Sequence, residues 1–123
     1  MEYFLEEVIL ATLHKAGTLR ILDNFEFSKI FDSKPEPFTK FKLHRHYDMC
    51  ESLIDVLCTL THAGLIYRDS PDLRYFRISE RVLGEYGKSI YRRFSLEHQK
   101  AIDEVASELK DVFGQNDCQK FTF

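Results

Sequence analysis

Across 123 residues the sequence has no tryptophan, three cysteines, three prolines and five glycines. The cysteines, Cys50, Cys58 and Cys118, are odd in number and form no C-x-x-C pair, which argues against a disulfide framework and for a reducing compartment. So little glycine and proline excludes collagen-like and low-complexity chains. No apolar run approaches the ~20 residues of a membrane span. Glu2, Glu6 and Glu7 stand where a secretory leader would carry positive charge. A cytoplasmic protein with no membrane contact is expected. Neither sign of charge is in excess: 17 Lys and Arg face 20 Asp and Glu, a net charge of −3. A uniformly basic nucleic-acid coat is thereby excluded, and any nucleic-acid surface is a local patch. G-x-S-x-G, P-loop, G-x-G-x-x-G and H-E-x-x-H signatures are all missing. The expectation is a protein that is not an enzyme and uses no cofactor or metal.

What is present is apolar material for one domain. Hydrophobic residues make up 44% and aromatics 14%, with eleven Phe and six Tyr. A chain of this size buries ~two thirds of the surface its unfolded form exposes. No internal repeat interrupts it.

Apolar spacing gives a coarse map. Residues 2–16 read as a helix, with Leu5, Val8, Ile9, Thr12, Leu13 and Ala16 on one face and Gly17 as the stop. Residues 18–22 read as a short strand or extended linker. A short helix follows over 24–32, capped by Asn24, with Phe27, Ile30 and Phe31 as its buried face. Residues 33–47 are ambiguous. Pro35 and Pro37 break any continuous helix. Beyond them Lys40, Lys42, His44 and His46 alternate with Phe41, Leu43, Arg45 and Tyr47, as in a strand with one basic face. Phe38, Phe41 and Arg45 equally suit one side of a helix.

The clearest helix is the third, over 48–63. Asp48 and Glu51 form a capping box, and Met49, Leu53, Ile54, Val56, Leu57 and Leu60 supply its apolar face. Cys50 and Cys58 fall within that pattern and read as buried thiols, whereas Cys118 lies in a polar tail. Gly64 ends the helix. Strands over 65–68 and 74–78 follow, joined by the turn Asp69-Ser70-Pro71-Asp72 into a hairpin. Ser79 caps a helix over 80–93, with Val82, Leu83, Tyr86 and Ile90 on one face. Ser95 caps a last helix over 96–113, with Gln99, Ile102, Val105, Ala106, Leu109, Val112 and Phe113 in a single stripe and Gly114 as its stop.

The stretch Val56 to Arg68, followed by Arg74 to Glu80, resembles the third helix and wing of bacterial PadR and MarR-like regulators. Those helices commonly end in Leu-x-x-x-Gly-Leu-Ile, and their second wing strand runs into Tyr/Phe-Arg-Leu/Ile-Thr/Ser-Glu. Leu60 to Ile66 and Phe76 to Glu80 match in type and order. The resemblance implies a mostly α fold with a small β-hairpin wing: a winged helix-turn-helix with an additional C-terminal helix. Residues 1–93 would form the winged domain, 94–114 a C-terminal helix serving dimerisation, and 115–123 a flexible tail. The segment between the second and third helices departs from the pattern, since an ordinary helix-turn-helix connection is ~3–4 residues. Either 33–47 is an insertion, or 38–44 is the second helix and Arg45-His46-Tyr47 the turn.

Charge locates the candidate site. Residues 34–47 carry four Lys or Arg against one Glu, and residues 66–93 carry seven against four carboxylates. In a winged helix these segments share a side and converge on phosphates. The expected partner is double-stranded DNA, bound by a homodimer. Lys40, Lys42, His44 and Arg45 contact phosphate, Ser52 and Thr59 lie near the groove, and Arg68, Arg74 or Arg77 touches the backbone from the wing. Arg74 and Arg77, three apart in a strand, point to opposite faces. Ile102, Val105, Leu109, Val112 and Phe113 form the expected dimer interface. Against this reading, the polar stripe of the third helix (Asp48, Glu51, Ser52, Asp55, Thr59 and His62) bears three carboxylates, a poor design for groove insertion. The same stripe suits a basic protein partner, and a protein-assembly role is the alternative function. His44, His46 and Cys50 lie within seven positions, but a structural zinc usually takes four ligands, so they read as solvated side chains and no metal is assigned.

Overall fold

The computed structural model describes residues 4–17, 20–21, 29–32, 34–41, 51–68 and 76–114. Helix α1, Leu5–Ala16, starts where the Glu7 carboxylate accepts the Phe4 N–H at 3.2 Å and ends at Gly17. Gly17 has φ +68° and donates its N–H to the Leu13 carbonyl, a left-handed stop that suits glycine. The predicted face is buried, with Leu5 partly so, but Leu10 and Ala11 are buried too. That burial on more than one side follows from position, because α1 packs against every other helix named below. Thr12 sits fully inside and donates its hydroxyl to the Val8 carbonyl at 2.7 Å, which satisfies it without a partner elsewhere.

Strand β1, Arg20–Ile21, follows α1, in agreement with the extended reading of 18–22. Of the predicted helix over 24–32, residues 29–31 are helical, with Ile30 and Phe31 buried; Asn24 and Phe27 lie outside the described residues. Residues 34–41 form successive turns, with the Phe38 N–H donating to the Pro35 carbonyl and the Phe41 N–H to the Phe38 carbonyl; residues 42–47, most of the run read as strand or helix, lie outside the described residues. The Glu36–Pro37 peptide is cis. Hydrophobic spacing of three, not two, governs here. Phe38 and Phe41 are both buried and close on Phe31, with ring centroids 5.6 and 5.7 Å away. Burial of this aromatic trio holds the turn segment on the core.

The predicted third helix is α2, Glu51–His62, with Leu53, Val56, Leu57 and Leu60 buried and Ile54 partly so. Cys58 is exposed, which corrects its reading as a core thiol; Cys50 and Cys118 lie outside the described residues. Gly64, at φ +74°, turns the chain directly into strand β2, Ile66–Arg68. Strand β3, Phe76–Ile78, pairs antiparallel with both β2 and β1, giving the strand order β1-β3-β2.

The predicted helix over 80–93 is two helices: α3, Glu80–Leu83, and α4, Glu85–Arg92. Ser79 caps the first as expected, its hydroxyl accepting the Arg81 N–H. Gly84 separates the two, at φ −102°, ψ −143°, outside helical values. The break lets α4 settle on α1 at Gly87, where a Cβ would lie 1.9 Å from the Val82 carbonyl oxygen and 2.8 Å from His14 Cβ. The turn also leaves Tyr86 exposed, against expectation, under the Arg81 guanidinium. Helix α5, Leu96–Leu109, begins at Ser95, whose hydroxyl accepts the His98 N–H, and continues as a π-helical segment, Lys110–Gly114.

The result is mostly helical with a small antiparallel sheet. One buried cluster runs from Val8 through the Phe trio and α2 to Leu109, so α5 belongs to the same core as the residues before it. Ion pairs tie its rim: Arg93 to Glu7 at 2.8 Å, Lys34 to Glu108 at 2.9 Å and Lys15 to Asp103 at 3.9 Å.

Candidate nucleic-acid interface

The hairpin and the helix before it carry most of the candidate residues that are described. In α2, Asp55, Cys58, Thr59 and His62 make the outward stripe, with Ser52 partly covered. Their spacing of three and four follows from the opposite face being pinned by Leu53, Val56, Leu57 and Leu60. Thr59 points outward but its hydroxyl donates to the Asp55 carbonyl at 3.1 Å. Both lone pairs of its oxygen stay available to an outside donor. Within this described stripe Asp55 is the exposed carboxylate; Asp48 lies outside the described residues, and Glu51 opens the helix.

The sheet sets the arginines. Phe76 and Ile78 are buried and Arg77 between them is exposed, the alternation expected of a half-buried strand. Arg77 stands in register with Arg20 on one side and Tyr67 on the other. Arg68 is registered with Phe76, one row away. Tyr67 is 49% exposed, while Ile66 beside it in the strand is buried. No hydrogen bond or ion pair engages the Arg77 or Tyr67 side chain among the described residues.

Lys40 is exposed at the end of the turn segment that Phe38 and Phe41 anchor. Lys42, His44, Arg45 and Arg74 lie outside the described residues, as do His46 and the rest of the hairpin tip. Two residues carried no assignment from sequence. Arg20 lies in a stretch read only as extended, and its pairing with Arg77 is non-local. Tyr67 has a local signal, the alternation Leu65-Ile66-Tyr67-Arg68 at the hairpin, but no charge to attract notice.

The dimer stripe needs correction. Ile102 and Leu109 are 0% exposed and Val105 2% in the single chain, because they face α1 and the core. Side chains already covered this way have no surface left for a second copy. Val112 is exposed.

Elsewhere, Tyr91 is half-buried and donates its hydroxyl to Asp103 at 2.9 Å, with the Lys15 ammonium 4.8 Å from its ring. Burial and then the Asp103 carboxylate push its phenol up to about 12. An open cleft of about 550 Å³ is lined by Pro35, Glu36, Glu97, His98, Lys100 and Glu104 among others, and Thr39 donates to Glu36 at its edge. Among the described residues no group of three His, Cys, Asp or Glu is placed to hold a metal ion, and no helix is long and apolar enough to cross a membrane. No protein-family model, curated protein or solved structure matches this chain.

Proposed function

We propose that this protein is a small winged-helix DNA-binding regulator. Strand order carries the reading. A winged helix places a strand after its first helix and pairs it with the second wing strand, while the helix before the hairpin is the one presented to DNA. The order β1-β3-β2, with β1 following α1 and α2 turning straight into β2 at Gly64, supports this reading. Arg77 on the hairpin and Lys40 beside the aromatic trio are exposed cations of the two basic segments. Ser52 and Thr59 lie on or next to the outward stripe of α2. In this reading Lys40, Lys42, His44 and Arg45 hold phosphates, and Arg68, Arg74 and Arg77 serve the wing. Fluorescence anisotropy with random duplex DNA across salt tests it. Micromolar binding that falls steeply with salt is expected, and replacing Lys40 and Lys42 by Ala flattens the slope by about two. Absence of duplex binding at low salt overturns it.

A second reading, a protein-assembly module, is favoured by a different observation. Phe4 and Leu96 are 73% and 85% exposed. Large apolar side chains so uncovered suit a partner surface, and Asp55 on α2 suits a basic one. Pull-down with Asp55→Lys and Leu96→Ser variants tests it; full partner recovery by both counts against this reading.

A further inference from the structure

We draw no further inference here: the strongest candidate, the open cleft where the turn at Pro35 and Glu36 meets the start of helix α5, is a cluster of carboxylates, Glu36, Glu97 and Glu104, lined also by His98 and Lys100, and among the described residues no second feature shows what would occupy it.

Discussion

The helical rim and the sheet treat positive charge in opposite ways. Around α1, Arg93 faces Glu7, Lys34 faces Glu108 and Lys15 faces Asp103, so cations there are matched by carboxylates from distant parts of the chain. On the sheet Arg77 is exposed, and no hydrogen bond or ion pair engages its side chain among the described residues. The net charge of −3 hides this division. Matched charges hold segments of the chain to one another at modest benefit, since exposed pairs contribute little. An exposed cation with no carboxylate partner keeps its donors for groups from outside. A local excess of one sign, set on a rigid element, is therefore more informative about function than overall composition.

Substitutions put this contrast to the test. The largest effect is expected in the core beneath both regions: Phe31→Ala removes a fully buried ring from the Phe31–Phe38–Phe41 cluster and lowers stability by about 4 kcal/mol in urea unfolding. Loss of nucleic-acid binding in this variant should track unfolding. Gly87→Ala comes next, at about 3 kcal/mol, because the added methyl meets the Val82 carbonyl and cannot be absorbed by a flexible side chain. A folded Gly87→Ala with unchanged stability would show that α4 does not seat on α1 as described.

Tyr91 gives a smaller, pH-dependent effect on the helical side. Its phenol is raised above the ordinary 10 to about 12, first by burial and then by Asp103. The folded state thus holds the proton that the unfolded chain gives up first. This contribution is fully present below pH 10 and is lost as pH rises from 10 to about 12. Tyr91→Phe should flatten that part of the alkaline stability profile, and absorbance titration should show one phenol fewer ionising late. An unchanged profile would remove Asp103 and burial as its controls. The smallest effect is expected at the rim: Arg93→Ala, which breaks an exposed pair, costs under about 1 kcal/mol. Its salt-dependent duplex binding should equal the wild type's, in contrast to that of an Arg77→Thr variant on the hairpin.

Much of the framework was legible in sequence because it is written locally. Gly17 and Gly64 stop their helices, Ser79 and Ser95 start theirs, and apolar spacing picks out α1, α2 and the hairpin. The failures are where a distant partner decides. The apolar positions at 38 and 41 were marked, but that they close on Phe31 was not, because that contact joins separate segments. The run over 80–93 is helical by pattern, yet the seat of Gly87 on α1 requires the break at Gly84. Cys58 sits in an apolar run but falls on the outward side once Leu57 and Leu60 face the core. Alternation put Arg74 and Arg77 on opposite faces but did not say which faces outward; Arg77 does. Its register with Arg20 was not marked, because strand pairing between residues so far apart leaves no trace in either local stretch.

The contact at Gly87 has a consequence for how this chain can change length. With no side chain between α4 and the Val82 carbonyl, the rotational setting of α4 is keyed to one position. Each residue inserted or deleted between Ser79 and Gly87 would turn the helix by about 100°. Glu85, Tyr86 or Lys88 would then be carried into a space that admits only a hydrogen. Loops elsewhere can lengthen, but this interval is a fixed count, and lineages descended from this sequence should keep it while almost everything around it drifts.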